Sequence, residues 1–265
     1  NNYGVVILRN VITLHWLHQL EIGIEKNFKN PSKYKCVYEQ KGEDEIFYDD
    51  YCNWQRIQEY KDFFFDSNIA NILSHLAEDS KVRGIRQIIN YQPSWPRNKK
   101  LGDLLGNHQW KQGYAALSHY SLSYDLQLNP HQFDKAVNLG TKHPDIPIII
   151  GHLGSPTLTD LENKQQYWEG IRELAYLENA SIKISMLSYI DPAWDENSLI
   201  EETVHQVIEL FGVERCFFAS NFPVEKHLGW SAHRLYSVFL NMVSHLDEES
   251  QQKLFADNAK KAYRQ

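Results

Sequence analysis

Apolar positions along this chain follow two rhythms. Some fall in short runs rich in β-branched residues; others recur every three or four positions along longer segments. The clearest run is Pro147-Ile-Ile-Ile-Gly-His152-Leu-Gly154-Ser-Pro156, where three isoleucines follow a proline and stop at a glycine. A short apolar run bounded by Pro and Gly is the pattern of a strand buried on both faces. With helical spacing on either side, it predicts a parallel sheet of βα units. From residue 82 onward the alternation is regular. It predicts strands over 82–89, 122–128, 147–150, 180–186 and 215–223, the last stopped by proline. The intervening and closing helices are expected over 110–119, 132–143, 167–177, 199–211, 231–244 and 248–263.

The first third is less regular. Residues 5–14 are rich in β-branched side chains and suggest a strand ending near His15 and His18, with a weaker strand over 35–39. Residues 41–62 are polar and aromatic without a clear period. Residues 63–66 form a short apolar run ended by an acid, and 71–77 have helical spacing. Three strands from this region and five from the rest give eight βα units in about 250 residues, the arithmetic of a closed (β/α)8 TIM barrel. The expectation is one α/β domain over 1–265, with a weakly defined or incomplete first third. A doubly wound open sheet is the runner-up, but no Gly-x-Gly-x-x-Gly follows any strand.

Composition narrows the partners. The net charge of −7 argues against nucleic acid or an anionic membrane. No apolar run approaches the roughly 20 residues of a membrane span. The first residues lack a basic flank and a small-residue cleavage site, so no signal peptide is expected. Cys36, Cys52 and Cys216 are odd in number and far apart, which suits reduced thiols in a cytoplasmic protein.

In an open or closed α/β sheet, chemistry gathers at the C-terminal ends of the strands. The polar residues predicted there are Arg86, Asp125, His152, Lys183, Ser185 and Asn221. His152 has the side chain suited to general acid–base work or metal ligation. Arg86 is suited to gripping a carboxylate or phosphate, and Asn221 hydrogen-bonds without taking up a proton. Each has a structural alternative. Arg86 can pair with a structural acid, Lys183 can lie along its strand, and Asn221 can cap the following helix.

Five ordered stretches resemble the amidohydrolase-2 family: Val82-Arg-Gly-Ile-Arg86, Leu122-Ser-Tyr-Asp-Leu-Gln127, Ile150-Gly-His152-Leu-Gly-Ser-Pro156, Ile182-Lys-Ile-Ser185 and Arg215-Cys-Phe-Phe-Ala-Ser-Asn221-Phe-Pro-Val-Glu-Lys226. The ending Asn258-Ala-Lys-Lys-Ala-Tyr-Arg264 is similar to the family's closing helix. The resemblance runs from about Ala70 to Arg264. It implies a TIM barrel of the metal-dependent-hydrolase type, a group that includes sugar lactonases and 2-pyrone-4,6-dicarboxylate lactonase. Two departures stand out. The family opens with a His-x-His pair, which is absent; His15 and His18 are spaced His-x-x-His. The family's last strand often ends in an aspartate, and here the position is Asn221, a form that also occurs in the family.

The leading expectation is a hydrolase of a small carboxylate-bearing lactone or cyclic ester, without tightly bound metal. His152 and Asn221 would be the catalytic pair; Arg86, Lys183 and Lys226 would bind substrate; no residue is assigned to a metal. The competing expectations are a barrel that binds a small carboxylic acid without turning it over, and a zinc-type amidohydrolase completed by His15 or another His pair.

Overall fold

The computed structural model describes residues 12–33, 35–38, 47–50, 53–69, 83–95, 98, 102–163 and 165–263. Contacts divide the chain into two compact units, one of Asn1–Val82 with Ser94–Lys100 and one of Arg83–Pro93 with Leu101–Gln265.

In the first unit, α1 (Leu14–Lys29) is followed by a two-stranded antiparallel ribbon of β1 (Cys36–Tyr38) and β2 (Phe47–Asp49), then α2 (Gln58–Asp66). The 35–39 strand is therefore present, but its partner is the next segment in an antiparallel ribbon. One expectation fails here: His15 and His18 lie in the first turns of α1, not at a strand end. The apolar run 63–66 is the last turn of α2. The reason is tertiary. Trp16 meets Phe63 edge-on at 6.0 Å, and Gly23 leaves room for the Tyr60 ring, which a Cβ there would strike at 2.5 Å. Helix-on-helix packing of these aromatics overrides the local strand preference. Asp50 ties the unit together, accepting from the Ser32 amide at 2.7 Å and lying 3.7 Å from Arg56. The 5–11 part of the first strand expectation and the 71–77 helix fall outside the described residues.

The second unit carries the regular alternation. Its parallel sheet runs β3 (Gly84–Ile88), β4 (Ser123–Gln127), β5 (Ile148–Ile150), β6 (Ala180–Ile184) and β7 (Cys216–Phe218) in sequence order. All five strands match their predicted positions. So do the crossover helices α3 (His108–Ala115), α4 (Phe133–Lys142), α5 (Gln165–Ala175) and α6 (Ser198–Phe211), and α7 (Ala232–Met242) beyond the last strand. Sequential parallel strands with helical crossovers are successive βα units. Among the described residues the sheet has five strands and does not close on itself.

The three isoleucines of β5 are fully buried, as the run between Pro147 and Gly151 predicted. Ile148 and Ile150 pack with Leu126, Ile182 and Ile184 from neighbouring strands and with Phe133, Ala136 and Leu139 from α4. Local signals fix the helix ends. Gln132 closes a capping box with Asn129 before α4, and its amide also bonds Ile89 O at 3.2 Å and Asp103 Oδ1 at 2.9 Å. Arg215 fills orphan carbonyls at the ends of two helices, donating to Ala175 O at 2.8 Å and Phe211 O at 3.0 Å.

The closing segment, expected as one helix over 248–263, is broken into three parts. α8 (Glu248–Gln252) passes through a π-helical turn (Lys253–Asp257) into α9 (Asn258–Ala262). Buried Asn258 anchors that turn, donating to Val213 O at 2.6 Å and Cys216 O at 2.8 Å.

Candidate functional site

Period-two geometry puts residues i and i+2 of a strand on one face. Asp125 and Gln127 of β4 therefore share the face of Arg86, which is paired with Asp125 across β3 and β4. On β6 the same rule groups Lys183 with Ser185, the residue just beyond the strand. His152 lies beyond the end of β5, and the left-handed backbone there, not the strand period, brings its ring beside them.

These residues form one connected network around the buried carboxylate of Asp125. Its Oδ1 accepts from Arg86 Nη1 at 3.0 Å, and its Oδ2 accepts from Lys183 Nζ in a short ion pair. Tyr263, just past α9, also donates its hydroxyl to Oδ2 at 3.0 Å and lies 3.3 Å from Lys183 Nζ. The second guanidinium nitrogen of Arg86 donates to Gln127 Oε1 at 2.9 Å and reaches His152 Nε2 at 3.3 Å. His152 Nδ1 sits 2.8 Å from Ser185 Oγ. A guanidinium only donates, so the His152 Nε2 facing it is the acceptor, and the ring proton rests on Nδ1 and points to Ser185.

The electrostatics follow from burial. Burial pushes the His152 imidazole down from 6.5 to about 4, assisted by the nearby charges of Arg86 and Lys183 and opposed by Asp125. The ring is therefore neutral at neutral pH. Burial also lowers the pKa of Lys183, against the stabilising charge of Asp125. Burial first, and then the Asp125 charge, raise the Tyr263 phenol, keeping it protonated. Two cations thus surround one carboxylate, leaving an excess positive charge that faces a neutral imidazole.

The strand ends are built from unusual backbone. His152, Leu153 and Ser155 after β5, Met186 after β6 and Asn221 after β7 all have φ between +51° and +59°. This left-handed conformation is uncommon outside glycine and concentrates where function holds a backbone in place. Gly154, at φ +77°, has a further reason to be glycine, since a Cβ would lie 2.4 Å from the Phe133 ring.

Arg86, Lys183 and His152 are thus brought together. Asn221 and Lys226 lie beyond β7 and, among the described residues, share no hydrogen bond or ion pair with that network. The Asn221 amide donates to Glu225 Oε1 at 3.4 Å, and Lys226 is exposed on the short helix Val224–His227. Glu225, almost fully buried, accepts a short hydrogen bond from Ser188 on the short helix Leu187–Ile190 after β6. Sequence reasoning singled out neither Gln127 nor Tyr263. Gln127 was within reach of the period-two rule; Tyr263 had no sequence signal. Two surface cavities lie elsewhere: one of about 440 Å³ is lined by His205, Glu209 and His245, one of about 510 Å³ by Pro144 and Tyr176. We place the site by its convergent charges, which those cavities lack.

The family model described as amidohydrolase (Amidohydro_2) matches residues 62–265. The chain belongs to the amidohydrolase-2 family. Among related sequences, an uncharacterised protein of Sinorhizobium fredii, y4mH, is 31% identical over 76% of this chain and 67% of its own length. The L-fucono-1,5-lactonase of Burkholderia ambifaria is 23% identical over 59% of this chain, which spans 51% of that enzyme. Among solved structures, an amidohydrolase of Burkholderia multivorans with bound zinc superposes at a TM-score of 0.60, with 20% identity, covering 78% of this chain and 79% of that one. A Pseudomonas putida protein assigned as a 2-pyrone-4,6-dicarboxylic acid hydrolase superposes at 0.59, with 18% identity, covering 72% and 67%. These likenesses place the chain in the TIM-barrel class of amidohydrolases, five of whose strands form the sheet described above. Among the described residues, no helix is long and apolar enough to cross a membrane.

The zinc of the B. multivorans relative raises the question of a metal here. Among the described residues no three His, Cys, Asp or Glu side chains converge. Both nitrogens of His152 are engaged, and Asp125 is already paired with two cations. That donor set does not fit a divalent ion, which needs several free anionic or neutral donors.

Proposed function

We propose that the protein is a lactonase-type hydrolase of a small carboxylate-bearing lactone or cyclic ester, working through its own side chains. The observation that carries this reading is the excess positive charge around Asp125, set against a neutral, buried imidazole. A substrate carboxylate pairs with Arg86, whose side chain is 41% exposed. That contact draws Nη2 from His152 and offsets the charge that depresses its pKa, so the base strengthens as substrate binds. His152 Nε2 then takes a proton from the water attacking the lactone carbonyl, while Nδ1–H stays on Ser185. The same proton passes to the ring oxygen as the C–O bond breaks, giving an alcohol and a carboxylic acid, which releases water's second proton to solvent. Lys183 keeps the local potential positive as the oxyanion develops. Asn221 and Lys226, at the end of the last strand, orient the water and the distal part of the substrate. The lactonase and dicarboxylic acid hydrolase assignments of two relatives support this substrate class. Both units would serve one barrel domain, in the cytoplasm.

The test is a panel of lactones with and without a carboxylate, assayed on purified protein before and after chelation. Turnover confined to carboxylate-bearing lactones and insensitive to chelator is the expected result. Carboxylate binding without turnover would favour the binding-only barrel. A second reading, a zinc hydrolase, is favoured by the bound zinc of the B. multivorans relative; activity lost on chelation and restored by zinc would establish it.

A further inference from the structure

The network contains one member that neither the family match nor the proposed chemistry assigns. Tyr263 comes from the far end of the chain, 138 positions from Asp125, and its hydroxyl is the third donor to that carboxylate cluster. It lies 3.0 Å from Asp125 Oδ2 and 3.3 Å from Lys183 Nζ, and its ring meets Phe217 edge-on at 6.0 Å. Its place is well fixed. Asn258 pins the start of α9 to the backbone at both ends of the segment Val213–Cys216, and Leu254 of the π-helical turn is fully buried. One short helix then carries Tyr263 to the sheet.

We propose that Tyr263 is a positioning residue for anion recognition: by bonding Oδ2 it fixes the plane of the Asp125 carboxylate, so that Oδ1 holds Arg86 in its substrate-facing pose. The inference rests on the reading of Arg86 as the carboxylate clamp. Its logic is geometric. Lys183 presents three donors on a flexible stem and can bond a carboxylate in many orientations. A phenol presents one donor on a rigid ring and selects one orientation. With the hydroxyl gone, Asp125 can turn both oxygens toward Lys183 and release Nη1 of Arg86. The guanidinium then keeps only Gln127 to hold it beside His152 and loses its charged partner.

Tyr263→Phe keeps the ring and removes the donor. The measurement is calorimetric titration of the full chain with succinate at neutral pH, alongside KM and kcat on carboxylate-bearing and neutral lactones. Succinate should bind about tenfold more weakly to the variant, the size of one hydrogen bond's net contribution. The preference for carboxylate-bearing over neutral lactone should fall by a similar factor, through KM more than kcat. A purely structural role would lower the melting temperature and leave that preference intact. Unchanged succinate affinity in a protein whose wild type binds it overturns the role of Tyr263 and leaves the anion-site reading standing. A wild type that binds no succinate overturns both.

Discussion

Arg86 Nη2 lies 3.3 Å from His152 Nε2, so a single guanidinium faces both a base and the carboxylate of Asp125. The base is neutral chiefly because it is buried, and the Arg86 charge that adds to this effect is the one a substrate anion would engage. Binding and proton transfer are therefore coupled through one side chain.

Removing the base tests that coupling most directly. His152→Ala should lower kcat by ~10²–10⁴, the usual range for a lost general acid–base. In the wild type, activity needs the unprotonated ring, so kcat/KM should rise with pH through about 4, well below the ordinary 6.5 of a free imidazole. A rising limb near the ordinary value would show that His152 is not held neutral by its site.

Arg86→Met should separate the two roles. Loss of a clamp that holds ground and transition states alike raises KM more than it lowers kcat. Because the Arg86 charge helps to depress the imidazole, the same variant should move the His152 titration upward, as read by NMR of the ring. A variant with higher KM but an unmoved His152 titration would mean the two side chains do not communicate.

The depressed imidazole also governs acid stability. Between about 4 and 6.5 the unfolded chain binds a proton at His152 that the folded chain refuses. Stability from this group is complete above 6.5 and is lost as pH falls toward 4, by about 3 kcal/mol. Denaturant melts across that window should show the slope in wild type, and His152→Gln should flatten it.

Asn221→Asp would place a carboxylate near Glu225, whose Oε1 now accepts the Asn221 amide at 3.4 Å. Two acids at that separation cannot both ionise freely. The variant should therefore lose stability as pH rises through the carboxylate range, measurable as a melting temperature that falls with pH. Stability equal to wild type at all pH values would mean that Asn221 only caps the turn, a role Asp fills as well.

Much of the second unit could be read from residue order alone. The isoleucine run of β5 and the Asp125–Gln127 alternation of β4 carry a strong periodic signal because burial on a regular sheet permits few patterns. The first unit could not be read this way. Its helices are held by Trp16 against Phe63 and by Gly23 against Tyr60, contacts between distant residues that leave no local period. The site was half legible: Arg86 and Lys183 sit at strand positions that geometry brings together, and His152 lies just past a strand end. Tyr263 reaches them only because a π-helical turn and Asn258 set the last helix, and no spacing in the sequence encodes that.

The left-handed loop after β5 makes this protein a test of what directed evolution for heat resistance would discard. Ser155 holds φ +52° there, and its buried hydroxyl has no hydrogen-bond partner among the described residues. Ser155→Gly would relieve the backbone, worth about 1–2 kcal/mol, and remove the orphaned hydroxyl, against a smaller entropic cost in the unfolded chain. A library selected only for survival at high temperature should therefore enrich glycine at 155, three residues from His152. The same selection run for turnover should retain serine if that hydroxyl meets the substrate.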